Sequence, residues 1–520
     1  MSSFDSEALP LENSQAKRLY EPLLLLCCLY RIFSEKKDGV KLPDLDSPDG
    51  RTSQGTFACF VNKLSQVCDS QRGGDTVTAF AVLQTGSIEY RFTSNQRTPD
   101  EFELTKRYVE TILTTLGEAQ DNVIRDARDK AEDCEIFSTL IREVLQFNRP
   151  RIMEYHIEHQ FAKHLDFCIE ACRGSDFAAR LEVLKSLTGA TLNPDLSDEQ
   201  FASHGQQLLR TISRTYNNPV HRDCLRERTR EDREGANQTP WTELYHGLGR
   251  LHSYTIAVTT FIAARHRWRE LFDPGFQVTY VPSSTKAKQP SIRRSSGGII
   301  TRLTNDPEIR ELFPRKSTTP SKRSVHLQDL TQELDRKLVK KHKDCHPIVH
   351  AEVHLADNIL REAKTNPELR FFNESNFGRY IGASKPTCRL CHFYFSAPFS
   401  SAGGRIQVRP TSHNYYHNWR VPHVYPEDGP AAAQARKRVV EWIINNLKPE
   451  AARTVVERFA VKKGHDSNTY PSVPDTESLM SMQVGHGGSE SGGGGGGGSQ
   501  SVTSLGTMDD ITSKFGAVRL

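Results

Sequence analysis

"VHAEVHLADN", residues 349–358, sets two histidines, His350 and His354, four positions apart with Glu352 between them. Residues spaced by four share a helix face, so the stretch suits a metal-binding helix, an amphipathic surface helix or the start of a catalytic site. A zinc-protease helix needs glutamate directly after its first histidine. Position 351 is alanine, so that reading fails. His354 is then expected to pack or to face solvent.

The residues that give the stretch its meaning lie downstream. "PTCRLC", residues 386–391, carries Cys388 and Cys391, with Cys388 36 residues after Glu352. A Cys-x-x-Cys pair at a helix start directs two thiolates at one metal, because free backbone N–H groups and the helix dipole favour anions there. His350 adds a nitrogen ligand. Three protein ligands leave the fourth position of tetrahedral zinc open, which marks catalytic rather than structural sites. Zinc in such a site brings the pKa of bound water to ~7. Glu352 is then placed to carry protons without ligating the metal. The competing reading is a closed structural site, which would recruit Cys345, His346 or His392 as a fourth ligand.

Together "HAE" (350–352) and "CRLC" (388–391) form the H-x-E … C-x-x-C pattern of zinc deaminases. The region resembles the cytidine deaminase-like superfamily. More narrowly it resembles the fungal group of nucleic-acid or nucleotide deaminases related to bacterial toxin deaminases. "SKPTCRLCHFYF" (384–395) and "TSHNYYHNWRVP" (411–422) carry the narrower resemblance. It covers about 335–445 well, 276–462 loosely and little of 1–275. The resemblance implies one Zn2+ per chain held by His350, Cys388 and Cys391, with Glu352 as general acid and base. It implies hydrolytic deamination of a nucleobase, free, in a nucleotide or in nucleic acid. It further implies an α/β domain built as a helix-flanked mixed sheet, with both ligand motifs at helix N-termini. One departure stands out: the superfamily places proline directly before the first cysteine, whereas here Thr387 intervenes and Pro386 lies two back. The alternative function is an inactive, zinc-stabilised module in an interaction protein.

Around the motifs other residues admit two readings each. His413 and Trp419 are the substrate-contact candidates of the aromatic segment, placed to stack on a base or bond its edge; the same segment could instead cap the sheet. The cluster "RKLVKKHK" (336–343) reads as a solvated helix face or as a phosphate-contacting surface.

Upstream, residues 1–275 read as mainly helical, with candidates near 13–35, 101–117, 121–147, 152–190, 198–216 and 240–272. "TVTAFAVLQTGSIEYRFT" (76–93) is the exception, two β-rich runs about a Thr-Gly turn. From 276 the texture alternates: strands at "FQVTYVP", "RYIGA" and "RIQVRP", helices at 327–341, from 350, at 430–446 and at 449–461. This predicts an α/β domain over 276–462 with a mobile basic loop at 283–325. The Gly/Ser-rich tail 463–520 is expected to be disordered.

The totals set outer limits. A chain of 520 residues holds two or three domains at roughly 100–200 residues each. Its 68 basic and 64 acidic residues nearly balance at +4, so overall charge demands neither a nucleic-acid nor a membrane partner. The eleven cysteines are odd in number and irregularly spaced, which suits reduced thiols and an intracellular protein. No signal peptide is expected at the N-terminus, and "LLLLCCLY" (23–30) is far short of the ~20 residues of a spanning helix. Oligomeric state is not legible.

Overall fold

The computed structural model describes residues 8–32, 53–129, 134–158, 161–234, 240–293, 295–307, 309, 323–398 and 406–457. Its centre is a mixed sheet. The hairpin forms as expected, β1 (Thr78–Gln84) pairing antiparallel with β2 (Ile88–Ser94). Gly86 supplies the positive φ of the turn, +89°, which costs glycine nothing. β3 (Gln277–Tyr280) adds parallel to β2, and β5 (Tyr380–Ala383) adds antiparallel to the other side of β1. The two-residue β6 (Gln407–Val408) extends the sheet parallel to β5, and β4 (Arg370–Phe371) pairs with the end of β1. The order along the main path is β3-β2-β1-β5-β6.

This sheet does not respect the division expected at residue 275. Its central strands come from the helical half of the chain, 78–94, and pair with β5 some 300 residues later. A strand's partner cannot be read from its own letters, and a helix-rich surrounding hides an isolated hairpin. The first part of the chain therefore belongs to the same folded body as the ligand motifs. Between β2 and β3 lie nine helices of the described residues, from Pro99 to Arg267. Within them the run expected as one helix over 152–190 is interrupted: Gly174, at φ +84°, precedes a new helix, Asp176–Thr191, capped by Ser175.

Both faces of the sheet are covered, as the burial of every β1 residue but the last requires. Phe80, Val82, Tyr90, Phe92 and Tyr380 face one core, shared with the helix Ser53–Val67 and the nine-helix block. Ala79, Ala81, Leu83 and Ile381 face a second core. That core holds the helices of the ligand motifs, the N-terminal helix Asn13–Ile32 and the C-terminal helix Gly429–Glu457. The apolar "LLLLCCL" run, Leu23 to Leu29, is buried there. No helix of the described residues is long and apolar enough to cross a membrane.

Two further expectations change. The stretch 283–325 is not a continuous loop. It contains the helix Ser296–Asn305, whose Ile299, Ile300 and Leu303 are buried in the second core, and it reaches into the helix Arg323–Lys343. Three apolar residues in so polar a stretch were too weak a signal; tertiary packing supplies the rest. Residues 310–322 of that stretch, and the tail 463–520, lie outside the described residues. The helices expected at 430–446 and 449–461 are one helix, Gly429–Glu457, which passes through Pro449. Proline costs a backbone hydrogen bond, but Leu447, Ala451 and Ala452 are buried on either side of it and hold the helix together.

Gly382 is the closest approach between sheet and helix. A Cβ there would stand 2.7 Å from the Val61 carbonyl carbon and 2.9 Å from the Asn62 nitrogen. Neither backbone atom can rotate away, so Gly382→Ala is expected to destabilise the fold by about 1–3 kcal/mol, the usual cost of overpacking. Thermal denaturation of the two proteins checks this; an unchanged midpoint would contradict it.

Candidate metal centre

Two helices meet at their N-termini beneath the second face of the sheet. His350 is the N-cap of Ala351–Glu362, and Cys388 is the N-cap of Arg389–Ser396. Each side chain therefore leaves the backbone where unpaired N–H groups concentrate positive potential. Asn95, just past the end of β2, accepts from the Ala351 N–H at 2.9 Å and so fixes the start of the first helix. Ser284 does the same for the residue before the ligand, donating to the Val349 carbonyl at 3.1 Å and accepting its N–H at 2.9 Å. Neither residue was singled out by sequence, because each lies far from the motif it supports.

His350 Nδ1 stands 3.5 Å from Cys388 Sγ and 3.5 Å from Cys391 Sγ. All three ligand atoms lie within 4.8 Å of one another and all three residues are buried. Among the described residues they are the one group of this kind. The candidates for a fourth ligand are elsewhere. Cys345 donates to the His417 carbonyl at 3.3 Å, and burial pushes its thiol up to about 12. His346 is exposed, and burial with Arg389 and His413 nearby lowers His392 to about 4.

The electrostatics favour a bound cation. Burial opposes ionisation of Cys388, but the Cys391 thiol, the His350 imidazole and the Cys391 backbone N–H together hold it well below the usual thiol range. Cys391 is pushed well above that range by burial and by the Cys388 sulfur. Two thiolates this close cannot both ionise without a positive charge between them. Burial works against the charged form of His350, and the Cys388 sulfur outweighs it, so His350 is raised. Two sulfurs and one nitrogen, closely spaced and buried, fit a tetrahedral zinc ion with one position left for a non-protein ligand.

Glu352 is 5 % exposed, in the first turn of the helix that His350 caps. Burial raises its carboxyl above the usual range, against the pull of His350. A carboxyl so placed reaches the neighbourhood of the three ligands without joining them.

The substrate-contact candidates separate. His413, at φ +58°, is half-buried against Arg389 Nη1, 3.2 Å away, and burial plus that guanidinium lowers it. Trp419 is fully buried and donates its indole N–H to Cys391 Sγ at 3.1 Å. It offers no face to a base, which corrects the expectation. Its neighbour Tyr416 does flank the site, its ring 6.0 Å from the His350 ring. The aromatic segment was the right place to look, but alternation of buried and half-buried residues along an extended run is invisible until its partner strand is known. His354, as expected, takes no part: its Nε2 lies 2.9 Å from the Pro282 carbonyl.

With this geometry in place, comparison with known families is informative. Residues 349–423 match a family model described as an OTT_1508-like deaminase. This segment is deaminase-like. It is similar to a cytidine deaminase-like family related to toxin deaminases, and it contains all four motif residues and the aromatic segment. The deaminase match does not reach the hairpin, the N-terminal helix or the nine-helix block. Comparison with curated proteins and with solved structures returns no match.

If the three residues hold the metal, Cys388→Ser is expected to lose most of the zinc that the purified wild-type chain carries. Metal analysis by mass spectrometry after dialysis measures it; equal zinc in both proteins would exclude Cys388 as a ligand.

Proposed function

We propose that the chain is a zinc-dependent hydrolytic deaminase, acting inside the cell on a nucleobase that carries phosphate. The observation that supports it is Glu352, buried in the deaminase-like segment beside three convergent ligands that lack a fourth protein partner among the described residues. One zinc ion held by His350, Cys388 and Cys391 supplies a Lewis acid that makes water acidic enough to react near neutral pH. The chain's own residues do the rest. Glu352 takes a proton from the attacking water as its oxygen adds to the amino-bearing ring carbon, C4 of cytosine or C6 of adenine. It passes that proton to the ring nitrogen. The second proton of the water goes to the amine, which leaves as ammonia while the ring carbon keeps the oxygen. Burial, which raises the Glu352 carboxyl, suits a group that must both accept and give.

The phosphate preference rests on exposed lysines on the two stretches that meet before His350. Lys286 and Lys288 are exposed on an extended segment that passes the end of the helix Arg323–Lys343, where Lys340 and Lys343 are also exposed. The segment is pinned by Ala287 N–H on the Pro347 carbonyl at 2.8 Å and by His342 Nε2 at 2.8 Å from the Pro290 carbonyl. These bonds set the two lysine-bearing stretches side by side, and the second of them runs on to His350. Such a group attracts phosphates by counterion release.

Glu352→Gln is expected to reduce ammonia release by at least about 100-fold while zinc stays bound, the usual scale for a general acid–base group. The assay uses a panel of nucleosides, nucleotides and single-stranded oligonucleotides. Zinc-loaded wild type that releases ammonia from none of them would favour the inactive module instead. Reversing charge at Lys286, Lys288, Lys340 and Lys343 is expected to raise KM for phosphate-bearing substrates and not for nucleosides. It should also flatten the salt dependence of oligonucleotide binding, its logarithmic slope falling by about 0.7 for each phosphate that the lysines no longer neutralise; an unchanged slope would refute the lysine surface.

A further inference from the structure

We propose that Trp419 is a positioning residue for the metal: its indole N–H holds the Cys391 sulfur in place and ties that ligand to the segment that presents His350. The inference rests on the reading of His350, Cys388 and Cys391 as zinc ligands. The two cysteines are supported differently. Cys388 sits at the helix cap, and its sulfur receives the Cys391 backbone N–H at 3.4 Å. Cys391 lies three residues further in, and its own N–H is the one spent on Cys388. Of the other amides in that first turn, Arg389 N–H is already used, on the Asn414 carbonyl at 2.9 Å. Apart from the His350 imidazole, the N–H that reaches the Cys391 sulfur is the Trp419 indole, at 3.1 Å.

A fully buried indole N–H needs a partner. A neutral thiol is a weak acceptor, whereas a thiolate makes a charge-assisted bond of roughly twice the strength of a neutral one. A tryptophan placed here for bulk alone would be matched by phenylalanine. Trp419 is also fixed along its backbone. It forms a parallel bridge with Ile348, two residues before His350. Ile348 N–H bonds the Asn418 carbonyl and Arg420 N–H bonds the Ile348 carbonyl, both at 2.9 Å. Tyr20, on the N-terminal helix, donates its hydroxyl to the Trp419 carbonyl at 3.1 Å. One residue therefore spans both ligand motifs: its backbone registers the segment leading to His350 and its side chain holds Cys391. Outer partners of this kind tune the affinity of a site and the charge on its ligands.

The test separates the N–H from the ring. Trp419→Phe removes the donor and keeps an aromatic side chain. Benzothienylalanine incorporated at position 419 keeps the full bicyclic shape and replaces only the N–H. Zinc affinity is measured by chelator competition, and cobalt-loaded protein reports the thiolate-to-metal absorption band. Both replacements are expected to weaken zinc binding about 10- to 100-fold and to shift the cobalt band, with the benzothienyl protein as thermally stable as wild type once metal-loaded. Wild-type zinc affinity and an unshifted band in the benzothienyl protein would overturn the proposal while leaving the zinc site intact. Wild type that binds no zinc would overturn the metal reading, and this inference with it. Should Trp419→Phe fail to fold, the benzothienyl protein alone decides.

Discussion

The pairing of β1 with β5 is the constraint on which the rest of the molecule depends. Three residue pairs, Ala79 with Ala383, Phe80 with Gly382 and Ala81 with Ile381, join parts of the chain about 300 residues apart. The pairing works because Gly382 carries no side chain, which lets the helix Ser53–Val67 lie directly on the strand. Asn62 of that helix completes the contact, its amide oxygen accepting from the Ala383 N–H at 3.2 Å and from the Tyr380 hydroxyl at 3.0 Å. The pleat then divides one sheet between two cores, and the second of these carries the chemistry.

What the sheet does for the site is to aim two helix starts at each other. The first ligand helix begins beside Asn95, at the end of β2, and the second begins a few residues beyond β5. Because β2 and β5 flank β1, their ends deliver His350 and Cys388 to the same place. Arg91 on β2 reinforces the placement. It pairs with Glu89 at 2.7 Å and with Glu362, at the far end of the first ligand helix, at 2.5 Å. The helix is thus held at both ends by the hairpin, one end by an amide and the other by a charge.

Sequence conveyed the chemistry better than the architecture. The spacings of His350, Cys388 and Cys391 were legible because metal geometry imposes them within each motif; the structure brings these three together and buries Glu352 in the first turn after His350. The hairpin at 76–93 was legible because its pattern is local. Its membership of the sheet that carries the ligand motifs was not, since pairing energy arises between segments and leaves no mark on either. The same limit explains Trp419. In "SHNYYHNWRVP" every aromatic looks equally free to meet a ligand, and only the bridge to Ile348 turns the indole inward and leaves Tyr416 beside His350. The helix at 296–305 and the single helix through Pro449 were missed for a related reason: each violates local propensity and is held by burial from elsewhere.

The nine-helix block leaves the sheet after β2 and returns to it at β3, which lies parallel beside β2. Just past β3, Ser283 donates to the Ser94 carbonyl at 2.8 Å and accepts from the Arg97 N–H at 2.9 Å, which locks together the ends of the two strands that bracket the block. This has a consequence for the order of events in folding. The hairpin is made early in the chain, yet one side of β1 stays unpaired until residues near 380 are available, and loop closure over such a span is slow. The block, docked on Phe80 and Phe92, can shield one face of the waiting hairpin meanwhile. On this view the inserted helices act as a built-in escort, covering an open strand edge and its apolar face until the ligand-bearing segment arrives to close the sheet.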